Sequence, residues 1–341
     1  MLKKLITAIA SCILLGLLLV SCQTAEPEEK SIDIYMIAGQ SNAAGYTKCD
    51  ENALAELWSE YNSGTSNVLY YGSAEYTYKD NNSEVLIGVN KFSEWVPARA
   101  GMGWRMDRIG PEVGIAAYLS ENCYYDTEES KRTAGLIKFA HGGSSLFEAE
   151  DSDYEISGSW ASPSYIAEAS IKDTELTGKL YRGLISEVEN GVASLRELGY
   201  TDINIKGVFW MQGETDKNSP DEYKRAFEYF VDDLRHDIGE VMQEDLATLP
   251  IMVGEISETS GSAFEETVVI NKAFVEMQRG LPGDIDNVYI IKSGQYKINR
   301  LEGSFSLNHG DSWHWNTSDM FAIGQMVGEC IVVDILKEDT Q

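Results

Sequence analysis

Ile32-Asp33-Ile34-Tyr35-Met36-Ile37-Ala38 runs without a break into Gly39-Gln40-Ser41-Asn42. A nearly continuous apolar run of this length suits a strand covered on both faces. The change at Gly39 to small and polar residues marks its end. A serine directly after a buried strand has its hydroxyl and its backbone N–H at an exposed turn, as nucleophilic catalysis requires. A serine there serves equally well as a helix N-cap, so Ser41 alone decides nothing about function.

The pattern recurs outward from this stretch. Gly135–Ala140, Ile203–Trp210, Ile251–Ile256 and Val288–Lys292 are further apolar, β-rich runs. Between them lie amphipathic segments that predict helices over Pro111–Asn122, Thr177–Leu198, Pro220–His236, Ala263–Gly280 and Thr317–Leu336. Pro111 and Pro220 stand where a first helical turn accepts proline. Strands alternating with helices predict an α/β fold with a central parallel sheet. Residues 46–109, rich in Tyr, Asn, Ser and Trp, fit this pattern poorly and read as a long loop region or small strands near the site. Open α/β sheets bind ligands beyond the carboxyl ends of their strands. There the sequence places Gln40-Ser41-Asn42, His141-Gly142-Gly143-Ser144-Ser145, Gln212-Gly213-Glu214-Thr215-Asp216 and Glu255-Ile256-Ser257.

A nucleophilic serine needs a base, an acid to orient the base, and donors for an oxyanion. The chain has four histidines. His314 is preceded by Asp311 in Asp311-Ser312-Trp313-His314, close enough for the carboxylate to reach the imidazole within one turn. The backbone N–H of Ser41, one from Gly142-Gly143 and the side-chain amide of Gln212 are the candidate oxyanion donors. Each has a plainer reading: a surface loop ahead of the last helix, a tight glycine turn, a helix-capping glutamine.

Five blocks together resemble a known family. Ala38-Gly39-Gln40-Ser41-Asn42-Ala43-Ala44-Gly45 is similar to the GQSN block of the carbohydrate acetylesterases that include sialate O-acetylesterases and acetylxylan esterases. Gly110-Pro111-Glu112 is similar to their GPE segment, and residues Lys138 to Leu146 to their glycine block. Trp210-Met211-Gln212-Gly213-Glu214-Thr215-Asp216 resembles WxQGExD, and Asp311-Ser312-Trp313-His314 the terminal DxxH. The blocks keep the family's order from residue 31 to about residue 336. The resemblance implies a three-layer α/β/α sandwich of the SGNH-hydrolase, flavodoxin-like type, and an esterase without metal or cofactor that works through an acyl-enzyme. It implies Ser41 as nucleophile, His314 as base and Asp311 as its orienter. The oxyanion hole would hold Ser41, Gly142 or Gly143, and Gln212, with Gln40, Asn42 and Glu214 supporting the site. Glu214 is a second candidate for orienting His314, though its context equally suits a structural carboxylate bonding the Ser41 loop. Ala43 and Ala44 depart from the larger residues often found after GQSN. The substrate is expected to be an acetylated carbohydrate, with sialic acid, xylan and related glycans all open. The alternative is a catalytically inactive carbohydrate-binding surface lipoprotein on the same scaffold. Trp95, Trp104 and Trp160 suit stacking on sugar rings, although buried aromatics equally build a core.

The rest of the chain agrees with export. Met1-Leu2-Lys3-Lys4 leads an apolar run from Leu5 to Val20 that ends at Ser21-Cys22. It is short for a membrane span and has the form of a secretory signal. Its end resembles a bacterial lipobox, which predicts a signal peptide over 1–21 and a lipid anchor on Cys22. Residues 22–30 then read as an acidic tether and 31–341 as one esterase domain, on a periplasmic or cell-surface lipoprotein. With 55 acidic and 27 basic residues the net charge is −28, and −30 once Lys3 and Lys4 are removed. This charge argues against nucleic acid as a partner, since phosphate binding needs a basic surface. Cys49, Cys123 and Cys330 show no CxxC pairing and suggest no zinc site.

Overall fold

The computed structural model describes residues 30–79, 85–124, 132–151, 156–172, 174–257, 259–260, 269–293 and 314–337. Strand β1 (Lys30–Gly39) shows how its sequence builds two layers at once. Ile34, Met36 and Ala38 enter one apolar cluster, and Tyr35 and Ile37 enter another on the opposite face. The period-two alternation of a strand is therefore apolar on both sides. Helices α5 (Lys179–Glu197), α6 (Pro220–Met242) and α7 (Lys272–Asp284) cover the first face through Leu184, Val188, Phe227, Phe230 and Phe274. Helices α3 (Glu112–Asn122) and α8 (Thr317–Cys330) cover the second through Val113, Ile115, Phe321 and Ile323. The architecture is α/β, with helices on both faces of the sheet.

The other sheet strands are β2 (Val68–Lys79), β3 (Val85–Pro97), β4 (Ala134–His141), β5 (Tyr200–Met211), β6 (Ile251–Gly254) and β7 (Val288–Ile291). Their order is β7-β6-β5-β1-β4-β2-β3. The sheet is mostly parallel; β2 and β3 form an antiparallel hairpin at one edge. This corrects the reading of residues 46–109 as loop or small strands. They hold two of the longest strands in the sheet. Gly72 has φ 131°, and a Cβ there would lie 2.0 Å from the carbonyl oxygen of Lys138. A glycine that resembles a loop signal in the sequence is what lets β2 pass β4. At the outer edge, β3 exposes Lys91, Glu94 and Pro97, residues that discourage further pairing.

Smaller differences concern helix limits. Helix α6 extends to Met242, and Gln243 closes it in the left-handed region at φ 60°. The helix expected over Ala263–Gly280 begins only at Lys272; residues 261–268 lie outside the described residues. Cys49, Cys123 and Cys330 are free thiols. Burial pushes Cys330 up to about 12. The expected signal peptide and Cys22 lie outside the described residues. Ser31–Gln341 forms one compact unit.

Candidate active site

The central strands β5, β1 and β4 are neighbours, so the loops at their carboxyl ends meet. Gly39 ends β1 at φ 137°, where a Cβ would lie 2.2 Å from the Met211 carbonyl oxygen. Only glycine permits this approach. Gln40 then donates its backbone N–H to that carbonyl at 3.0 Å. Ser41 opens the one-turn helix α1 (Ser41–Ala44), closed by Gly45 at φ 86°. The Ser41 side chain is half-buried. It makes no hydrogen bond to any described residue, His314 included.

Both sequence neighbours of Ser41 are tied to the loop after β5. The buried Gln40 accepts the N–H groups of Gly213 and Thr215 on Oε1, each at 3.3 Å. Buried Asn42 donates Nδ2 to Glu214 Oε1 at 2.7 Å. Glu214 therefore holds the Ser41 turn in place through Asn42. Below the turn lies a buried ion pair. Lys138 Nζ is 2.9 Å from Glu112 Oε2 and 3.4 Å from the Ala44 carbonyl oxygen, and Glu112 Oε1 accepts the N–H of Gly110 at 2.7 Å. Both side chains are fully buried. Burial lowers the Lys138 pKa, and Glu112 opposes that shift.

The glycine loop leaves β4 at His141. Gly142 spends its N–H on the Glu75 carbonyl at 3.0 Å, continuing the pairing with β2. Gly143 stands at φ 67°, and its N–H has no partner among the described residues. His141 Nδ1 lies 2.9 Å from the Gly142 carbonyl oxygen. A carbonyl only accepts, so this bond places the proton on Nδ1. Burial pushes the His141 pKa down to about 4, the bond to Gly142 opposing, and keeps the ring neutral near neutral pH. Further along, Ser145 Oγ donates to Asp216 Oδ1 at 2.5 Å, and the Leu146 N–H reaches Asp216 Oδ2 at 2.8 Å.

Gln212 was expected to supply an oxyanion donor. It is fully buried and both its amide hydrogens are engaged, with the Ser144 carbonyl oxygen at 3.0 Å and Asp216 Oδ2 at 2.6 Å. In this arrangement it ties two loops together. Asp216, to which sequence reading gave no role, is the knot: it accepts from Ser145, Leu146 and Gln212. Burial raises its pKa against these three bonds. The sequence signals for it are its position at the same strand end as Gln212 and Glu214 and its place as the last residue of the block that resembles WxQGExD.

His314 comes from the other face of the sheet. Its ring stacks on Tyr46, with centroids 4.8 Å apart and planes at 23°, and Tyr46 stacks on Trp104 at 5.0 Å. The same segment is stitched to the chain that follows Gly45. Thr47 Oγ1 donates to the Trp315 carbonyl at 2.8 Å, and Thr317 Oγ1 donates to the Lys48 carbonyl at 2.9 Å. His314 is thus fixed beside a residue five positions beyond Ser41. Asp311 lies outside the described residues. Of the tryptophans considered for sugar stacking, Trp160 is fully buried and donates to Ser144 Oγ at 2.7 Å. Trp95 donates to the Gly191 carbonyl on α5. Among the described residues no cluster of His, Cys, Asp and Glu is arranged to hold a metal ion.

The family model for carbohydrate esterases described as sialic acid-specific acetylesterases matches residues 31–332. The chain belongs to this family. As a carbohydrate acetylesterase it is a carboxylic ester hydrolase, and the loops just described lie inside the matched region. No curated protein matches the sequence. Among solved structures, a protein from Arabidopsis thaliana is similar at 18% identity and a TM-score of 0.51, over 89% of this chain and 98% of that one. A structure titled NanS aligns at 15% identity and a TM-score of 0.48, over 91% of this chain and 98% of that one. A carbohydrate acetylesterase from Xanthomonas citri aligns at 12% identity and a TM-score of 0.49, over 90% of this chain and 57% of that one. At these identities the first likeness speaks for the fold alone.

Proposed function

We propose that this acetylesterase works through Ser41, His314 and Asp311. The observation that carries the reading is Ser41 itself. Its hydroxyl has no hydrogen bond among the described residues, on a turn whose two flanking side chains, Gln40 and Asn42, are both fixed. Ser41 Oγ attacks the acetyl carbonyl carbon and passes its proton to His314, which Asp311 orients. The oxyanion is met by the backbone N–H groups of Ser41 and Gly143. Gly142 and Gln212 have spent their N–H groups on the scaffold. The sugar hydroxyl leaves with the proton from His314, and water then releases acetate from acetyl-Ser41 by the same route. His141 serves this step indirectly. The Gly142 carbonyl and the Gly143 N–H belong to one planar peptide unit, so the bond from Nδ1 fixes the direction of the donor. The protein is exported and anchored by a lipid on Cys22, in the periplasm or at the cell surface.

The direct test is Ser41→Ala. It should fold with an unchanged Tm and lose more than about 10⁴ in kcat on p-nitrophenyl acetate, the order seen when a triad member is removed. Brief exposure of the wild type to an acetyl ester, followed by acid quench and peptide mass spectrometry, should find the acetyl group on Ser41. A folded Ser41→Ala protein with substantial activity removes Ser41 as nucleophile.

A further inference from the structure

The loop that presents Gly143 continues into the wall of a groove. Phe147 and Glu148 follow the knot at Asp216. Across from them stand helix α4 (Pro163–Glu168) and the first turns of α6. The cavity holds about 740 Å³, within the size range of small-ligand sites. It opens on the face of the sheet opposite His314, since α6 packs with the first apolar cluster and α8 with the second. From Gly143 to Glu148 is five residues, about 18 Å at full extension. The true span is shorter, because the N–H groups of Phe147 and Glu148 both turn back to Ser145 Oγ. The groove wall therefore begins within a few residues of the Gly143 amide proposed to meet the oxyanion.

Its chemistry is that of a polyol site. Hydroxyls and carboxylates line it alongside half-buried Phe147 and Ile171, a mixture that suits the hydroxyls and the apolar faces of a sugar chain. Its charge is more selective. Among the described lining residues, Glu148, Glu168 and Glu222 face one cation, Arg225. Arg225 is already held by Glu168 and, at 3.3 Å, by Glu222. The guanidinium therefore has two carboxylate partners, and the lining as a whole carries a net charge of −2. Among the described lining residues a sugar carboxylate finds no cation that lacks a carboxylate partner. It meets repulsion worth about a factor of ten, even when screened as in water.

Resting on the esterase reading above, we infer that this groove seats the sugar chain next to the acetylated residue and selects an uncharged oligosaccharide over an anionic sugar acid. The family description names sialic acid; the groove of this chain is built against its carboxylate.

The experiment compares kcat/KM on three substrates: p-nitrophenyl acetate, an O-acetylated xylo-oligosaccharide as the neutral probe, and O-acetylated N-acetylneuraminic acid as the anionic one. Wild type should prefer the neutral probe by about tenfold or more. Ala169→Trp, which fills the groove from the end of α4, should lower the ratio of neutral oligosaccharide to p-nitrophenyl acetate by about tenfold. Glu148→Lys, at an exposed position that does not risk folding, should shift the neutral-to-anionic ratio toward the anionic probe by a similar factor. Activity on p-nitrophenyl acetate with ratios unmoved by both variants, or with the anionic probe preferred by wild type, overturns the groove assignment alone. Absence of hydrolysis of all three substrates by the folded wild type overturns the esterase reading and the groove with it.

Discussion

Replacing His141 isolates the amide that is to meet the oxyanion. In His141→Leu the Gly142 carbonyl loses its partner and the Gly142–Gly143 peptide is free to tilt. Removing an oxyanion donor outright costs about 10² to 10³ in kcat. The Leu variant keeps the donor and loses only its orientation, so the loss should fall below that ceiling, at about 10- to 100-fold. In His141→Asn, the side-chain N–H lies near the former Nδ1 and should recover kcat to within about fivefold of wild type. KM on p-nitrophenyl acetate should move by less than about threefold in both, because the amide acts on the transition state. Stability adds a second readout. Burial sets the folded pKa of His141 at about 4, below its ordinary 6.5. The unfolded chain therefore binds the proton first, and stability is lost as pH falls from 6.5 toward 4. That difference corresponds to about 3 kcal/mol across the window. His141→Asn should lack this component, so its urea midpoint should fall less steeply than that of wild type between those pH values. A Leu variant with wild-type kcat, or an Asn variant no better than Leu at equal Tm, refutes the link between His141 and the Gly143 amide.

Three further outcomes are expected. Asp311→Asn should cost about 10⁴ in kcat by favouring the wrong imidazole tautomer, while Glu214→Gln, if folded, costs less because Glu214 is occupied with Asn42; stopped-flow ester hydrolysis decides between them, and the reverse order makes Glu214 the orienting acid. Lys138→Met strands the buried Glu112 carboxylate and should destabilise the protein by about 3 to 5 kcal/mol in urea unfolding; a loss below about 1 kcal/mol shows that water reaches the pair. Cys22→Ser should end incorporation of labelled fatty acid and release the protein from membranes, and labelling that persists removes the anchor from Cys22.

The sequence makes the central strands legible because burial on both faces leaves their runs nearly free of polar residues, as at Ile34–Ala38. It makes the rim legible because each run ends in small and polar residues. The hairpin of β2 and β3 escapes the same test for a physical reason. β3 is an edge strand, so half-exposed Asn90, exposed Lys91 and exposed Ser93 interrupt it as a loop would, and Gly72 in β2 answers to the backbone of β4 rather than to its own neighbours. At the site, residue type and strand end pointed to Gln212 and to the Gly142-Gly143 pair. Where their hydrogens go depends on loops from strands some 70 residues apart, as in the bond between Gln212 and the Ser144 carbonyl. Asp216 and His141 were missed because their importance lies in such partners and not in their own spacing.

The knot at Asp216 separates two tasks along one short loop. Upstream of it the backbone from His141 to Leu146 is locked to its surroundings. Downstream, Phe147 and Glu148 only form a wall. Substitutions, insertions and charge changes beyond the knot therefore reshape what the groove admits while the amide at Gly143 stays where the chemistry needs it. If the groove seats the sugar as proposed, substrate preference and rate are separately adjustable in this chain, and a lineage carrying it could change its diet of glycans without first relearning how to cleave an ester.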